Sequence, residues 1–204
     1  MPKLHVGCGA NIMEGWLNID VRPFDGITEV RDATKPFADL GQLTHVYAEH
    51  FIEHLDLEEA WTFFCNSFDA LVPDGRLRLS TPSLEWVIST HFNPREEERE
   101  KGNNQTLEFN RAFYGWGHRF IYSKTFLRSI IEAVGFRGIK FYDYGVSEDG
   151  EFNGIERHGN YRVDSGFPSV WIIEGFKPRF EVPRDNNFVN VINDTFVRHR
   201  IGGH

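Results

Sequence analysis

The sequence predicts an α/β fold, a mostly parallel sheet of about seven strands with helices on both faces. Three observations carry that expectation. Short apolar runs alternate with stretches of helical periodicity from the first residues onward, a glycine turn directly follows the first run, and no helical pattern separates the last two runs.

Taken in order, "KLHV", "WLNIDV", "TEVR" and "THVYA" read as four strands, and the step from the first to the second is too short for a full helix. "DLEEAWTFFCNSFDALV" follows as a helix, with Asp56 as N-cap, "PDG" as the stop, and Leu57, Trp61, Phe64, Phe68 and Leu71 on one stripe. "RLRLS" is the fifth strand. "YSKTFLRSIIEAVGF" is a second helix, capped by Ser123, ended by Gly135, with Phe126, Leu127, Ile130, Ile131 and Val134 inward. "GIKFYDY" and "SVWIIEGF" close the sheet. With no helix to carry a parallel crossover between them, these two are expected to pair antiparallel at an edge.

Composition supports one domain. A chain of 204 residues that is 40% hydrophobic holds enough apolar material for one substantial core. The domain is placed at residues 1–178, with a polar, irregular lid or binding loop over 93–117 and an extension over 179–204. In that extension Phe188, Val191, Ile192 and Phe196 share a helical face suited to packing on the domain or on a second copy, so a homodimer is an expected form. The formal charge of -8 argues against a nucleic-acid partner, which would need a broad Lys and Arg surface. Two cysteines, no secretory opening and no long apolar span point to a cytoplasmic protein.

The glycine turn "GCGAN" lies where open α/β sheets bind ligands, at the carboxyl end of the first strand. Asp20 ends the second strand, where a carboxylate would accept ribose hydroxyls, and Asp32 follows the third. Ile12 occupies the third-glycine position of a dinucleotide fingerprint, which argues for an adenosine ligand without phosphate.

"KLHVGCGANIMEGWLNIDV", "VRDATKPF", "VYAEHFIEHL", "VPDGRLRLSTPS" and "GHRFIYSKTFLRSIIEAVGF" together resemble the successive motifs of class I S-adenosylmethionine (SAM)-dependent methyltransferases. The likeness covers roughly Lys3 to Lys177 and is similar in particular to small bacterial predicted methyltransferases associated with glycan or surface-polysaccharide pathways. It implies a Rossmann-like sheet, SAM as cofactor and a small polar or glycan acceptor; oxygen is the expected atom of methylation, with nitrogen and carbon left open by the sequence. It implies that Gly7, Cys8 and Gly9 wrap the methionine part, that Asp20 and Val21 meet the ribose, and that Asp32 and Ala33 meet the adenine. Glu49 and His50 would stand beside the methyl group. The family usually has an acid where this chain has His5, so the hold on the cofactor's ammonium group departs from the pattern.

His50-x-x-Glu53-His54 also matches the H-x-x-E-H pattern of inverted zincins. A zinc hydrolase would need a second helix and a distal ligand that this strand pattern does not suggest, so no metal ligand set is assigned. Small-RNA 2′-O-methyltransferases of the same superfamily bind a divalent ion through E-x-x-E-H and a later His. This chain has Glu53, His54 and His118, with His50 in place of the first acid. His50 and His118 are the candidate bases, with Glu53 and His54 beside them. "GIERHGNY" makes Glu156, Arg157 and His158 candidates for substrate binding. The competing reading is a non-catalytic relative that keeps the fold as a binding module, motivated by His5 and the clipped turn.

Overall fold

In the computed structural model, described for residues 1–200, seven strands form one sheet in the order β3-β2-β1-β4-β5-β9-β6. They are β1 (Lys3–Val6), β2 (Leu17–Asp20), β3 (Glu29–Val30), β4 (Leu43–Glu49), β5 (Leu71–Pro82), β6 (Arg137–Tyr142) and β9 (Val170–Phe176). The first five are parallel. β9 runs antiparallel to both β5 and β6, which leaves β6 at the edge as expected from the missing crossover helix. β7 (Val163–Asp164) and β8 (Phe167–Pro168) form a separate small hairpin.

Helix α1 (Leu57–Ala70) starts on a full capping box: Asp56 accepts from the N–H groups of Glu58 and Glu59, and the Glu59 carboxylate accepts from Asp56 N–H. It buries Leu57, Ala60, Phe63 and Phe64. The Leu and Phe side chains among them contribute roughly 1.5–3 kcal/mol each. Helix α4 (Lys124–Val134) is capped by Ser123 and ends at Gly135, whose φ of 129° suits glycine. Both helices pack on the same face of the sheet, against Leu4, Val6, Val46, Leu77, Leu79 and Ile173.

The expectation of helices on both faces is met only in part. The step from β1 to β2 contains no helix, and the opposite face is covered by loops that bury a small second cluster of Trp16, Tyr47, Phe152 and Ile155. That face carries a row of polar residues in register across five strands: Asn18, His5, Tyr47, Arg78 and Glu174.

Three element boundaries differ from the sequence reading. "PDG" does not stop α1; the helix ends at Ala70, Leu71 opens β5, and the three residues form an irregularity inside that strand, with Asp74 at φ 64°. α2 (Leu84–His91) lies where no helix was expected. The segment 93–117 is mostly helix, α3 (Arg99–Tyr114), not irregular. α3 buries no residue, so no apolar stripe betrays it, and it leans on the end of α2 through the tilted contact of Phe109 with Phe92, with Phe113 packed beside Phe109.

The terminal extension folds as α5 (Asn186–Ile192) followed by a π turn (Asn193–Val197). Ile192 is buried, while the Phe188 ring packs against Trp61 and Phe126 and Phe196 meets Phe120 edge-on, so the face packs on the domain itself. Val191 departs from it and is exposed. The last four residues of the extension lie outside the described residues. No helix among the described residues is long and apolar enough to cross a membrane.

Candidate functional site

The order of strands reverses between β1 and β4, and a cavity of about 950 Å³ opens at their carboxyl ends. Gly7 and Gly9 turn the chain there with φ of 64° and 53°. A Cβ on Gly7 would come within 2.7 Å of the Phe51 ring, whereas at Gly9 the same position is open space, so the backbone is bare toward a ligand. Gly9 N–H donates to Asp20 Oδ2 at 3.0 Å, joining the tips of β1 and β2. Cys8 is buried, and burial with the charge of Asp20 pushes its thiol up to about 11, which keeps it inert at neutral pH.

The end of β4 and the turn after it place several titratable side chains on the cavity wall. His50 stands at φ 47°, a left-handed conformation that is costly for a side chain of this size and recurs at functional sites. Its Nδ1 lies 2.9 Å from Glu53 Oε1, and a carboxylate only accepts, so Nδ1 carries the hydrogen and Nε2 is the basic atom. Glu53 is fully buried, and its other oxygen accepts from Thr81 Oγ1 at 3.0 Å. Burial alone would lower the pKa of His50, but the hydrogen bond and charge of Glu53, with Glu49 beyond, raise it. His158 faces His50 with ring centroids 4.0 Å apart, and its pKa is lowered by burial and by the charge of His50.

Glu53, His54 and His118 form a second grouping, with one ligand atom from each lying within 4.8 Å of the others. His118 Nδ1 is 2.8 Å from the carbonyl of Ala112, which makes it the donor and leaves Nε2 free. The set fits a divalent ion in donor type. His50 is not part of it; the three are the residues named by the second pattern in the sequence, Glu53, His54 and His118, and not the three of His50-x-x-Glu53-His54.

Of the residues expected at the site, Gly7, Cys8, Gly9, Glu49, His50, Glu53, His54, His118, Glu156 and His158 line this one cavity. Asp20 touches it only through Gly9. Asp32 is exposed and accepts from Thr34, Ala33 is buried, and Val21 is exposed, so these three lie outside it. Two acids have other work. The Glu49 carboxylate accepts the N–H groups of Arg157 and His158 at 3.0 Å, and Glu156 turns inward to Arg78 at 2.6 Å and to Gly145 N–H at 3.1 Å. Both anchor the "GIERHGNY" segment, whose His158, Asn160 and Tyr161 also line the cavity, with His158 against His50. Sequence reasoning missed Trp86, His91, Arg111, Trp116 and Tyr144 on the outer wall. Most come from α2 and α3, which lack the periodicity that would have located them.

No protein-family model matches the sequence, and no curated protein matches it either. Solved structures do resemble it. A SAM-dependent methyltransferase from Archaeoglobus fulgidus aligns with a TM-score of 0.52 at 16% identity, over 86% of this chain and 86% of that one. One from Mesorhizobium loti aligns at 0.53 and 14%, over 86% and 90%. A possible exported protein from Bordetella parapertussis aligns at 0.53 and 16% over 87% of this chain, which spans only 62% of that longer chain. Identities this low speak for the fold alone, and the chain has the α/β, Rossmann-like fold of SAM-dependent methyltransferases.

Proposed function

We propose that the protein is a SAM-dependent methyltransferase that acts on a hydroxyl of a small polar or glycan acceptor, with His50 as general base. The observation that carries the reading is one cavity uniting the bare glycine turn, tied to Asp20, with the Glu53–His50 pair at the switch point of the sheet. SAM would supply a methyl group already activated on a sulfonium. Gly7, Cys8 and Gly9 would offer backbone to its methionine part, and Asp20 would take the ribose hydroxyls. The fit is consistent with the absent helix after β1, since this ligand has no phosphate to need a helix N-terminus.

The chain's own task is then to align a hydroxyl and remove its proton. His50 Nε2 would accept that proton as the methyl carbon passes from the sulfonium, whose bonding pair stays on sulfur as the thioether product, to the acceptor oxygen, and Glu53 would stabilise the resulting imidazolium. Calorimetry with S-adenosylhomocysteine tests the cofactor part, and Asp20→Ala should weaken binding by about 1.5–3 kcal/mol. No binding to the intact protein removes the reading. In a transfer assay His50→Ala should lower the rate roughly 10²-fold or more.

A metal-assisted variant of this reading is favoured by the convergence of Glu53, His54 and His118. A divalent ion there would hold and acidify the acceptor hydroxyl. Metal analysis of purified protein, with His118→Ala as control, decides between the two: stoichiometric metal lost in the variant supports it, and metal-free active protein ends it.

A further inference from the structure

The outer end of the cavity, away from the glycine turn, is walled by α2, α3 and the segment that leads into the β7–β8 hairpin. Arg111 of α3 and Arg162, just before β7, both line it. The charges of both act on His91 of α2, so the two guanidinium groups share one end of the cavity although they come from different elements. Neither has an ion pair among the described residues, whereas Arg31, Arg76, Arg119 and Arg184 each meet a carboxylate. Of the described arginines without an ion pair, these two alone line the cavity. Two carboxylates line it as well, Glu108 and Asp164, and neither has closed onto an arginine, although Glu108 stands one helical turn from Arg111. At His91 the balance is Arg111 and Arg162 against Glu108, two cations to one anion.

Arg111 is stationed by a ring rather than by an acid. Its guanidinium lies over Trp116, 5.8 Å from the ring centroid. Trp116 itself is held at φ 55° and is 72% exposed, so a strained backbone presents a large ring that gains little burial, a combination found where a side chain serves a ligand. On the same wall Trp86 meets His91 edge-on at 4.8 Å and keeps its Nε1–H buried with no hydrogen-bond partner. A donor in that state is costly, and so is a pair of unneutralised cations at one site. An acceptor-rich anion drawn into this end offsets both. Each guanidinium presents a planar fork that matches carboxylate and phosphate oxygens. We propose that Arg111 and Arg162 hold an anionic group of the methyl acceptor, a carboxylate or a phosphate ester, at the outer end of the cavity while its hydroxyl lies at His50. The inference deepens the methyl-transfer reading above and rests on it, with Trp116 as the positioning residue for Arg111.

The probes are inorganic phosphate and acetate, read by indole N–H NMR on the full chain, with sodium chloride at matched ionic strength as control. The Nε1–H resonances of Trp86 and Trp116, assigned by their loss in Trp86→Phe and Trp116→Phe, should move saturably with phosphate or acetate and stay put with chloride. The anion that binds more tightly identifies the source. Arg111→Gln combined with Arg162→Gln, both at exposed positions, should weaken that binding about tenfold or more, and Arg95→Gln, at an exposed arginine outside the cavity, should leave it within about twofold. By calorimetry, S-adenosylhomocysteine should bind the unmodified protein, the double variant and the phosphate-loaded protein within about twofold of one another. No saturable movement with either anion, undiminished binding in the double variant, or displacement of S-adenosylhomocysteine by phosphate overturns the inference while the cofactor reading stands. If S-adenosylhomocysteine fails to bind while the indole resonances still respond, the methyl-transfer reading falls and takes the acceptor assignment with it.

Discussion

On one face of the sheet Leu4, Val46, Leu77 and Ile173 meet α1 and α4, and on the other the same strands present His5, Tyr47, Arg78 and Glu174 to loops. The difference follows from what each connection can supply. A helix brings an apolar stripe and keeps its backbone groups to itself, whereas a loop brings free N–H and C=O groups and little apolar area. The loop-covered face is therefore polar, with Arg78 bridging Glu156, Glu174 and the carbonyl of Val146. Its satisfaction is incomplete: Tyr47 Oη, Arg78 Nη2 and Glu174 Oε2 are buried without a hydrogen-bond partner among the described residues. The helix face is held by buried apolar area, whereas the loop face tolerates its buried charges only while they stay paired.

Arg78→Leu should show the largest effect. It leaves two carboxylates buried without their counter-charge, at a cost of about 3–5 kcal/mol in urea unfolding. Replacing Arg78, Glu156 and Glu174 together by Leu should recover most of that loss, because apolar packing substitutes well for a buried ion triad. Leu127→Ala, on the helix face, should cost about 3 kcal/mol through lost burial and the cavity left behind, and no second substitution at a polar site should rescue it. If Arg78→Leu proves milder than Leu127→Ala, the division between the faces is wrong.

A smaller effect tests whether the faces are independent. Asp56→Ala removes the N-cap of α1, worth about 1 kcal/mol. Arg119 pairs with Asp56 and Glu59, and its N–H donates to the carbonyl of Glu53, so the cap reaches toward the site. Independence predicts lower stability with unchanged affinity for S-adenosylhomocysteine. A parallel fall in affinity would mean that Arg119 couples the helix face to the site.

The helix-backed half was legible in the sequence because burial leaves a period. Leu127, Ile130, Ile131 and Val134 recur at helical spacing, and Asp56 and Ser123 mark helix starts by side-chain chemistry that acts locally. The loop-backed half left no such mark. Nothing local tells that Glu156 turns inward to Arg78, since the two are 78 residues apart, and α3 could not be seen because it buries nothing. Of the candidate site, the glycine turn and the His50–Glu53 pair were readable as short motifs. The outer wall from Trp86 to Trp116 was not, because its position depends on how α2 and α3 fold back over the strand ends.

The smallest effect separates two histidines of the loop-backed side by the sign of their pH dependence. His5, whose Nδ1 lies 3.1 Å from Asn18 Oδ1, has a pKa lowered by burial, so the unfolded chain binds its proton first. Its contribution to stability is present above the unfolded value of about 6.5 and is lost as pH falls through the lowered folded value. His50 has a raised pKa, so its contribution is present below about 6.5 and is lost as pH rises through the raised folded value. Urea unfolding between about pH 5 and about pH 8, for the wild type against His5→Gln and against His50→Gln, reads each contribution as a difference. The His5 difference should shrink on acidification and the His50 difference on going alkaline. Slopes of the same sign would show that Asn18 and Glu53 do not hold these rings as described, and would remove the basis for treating His50 as a base whose proton Glu53 steadies.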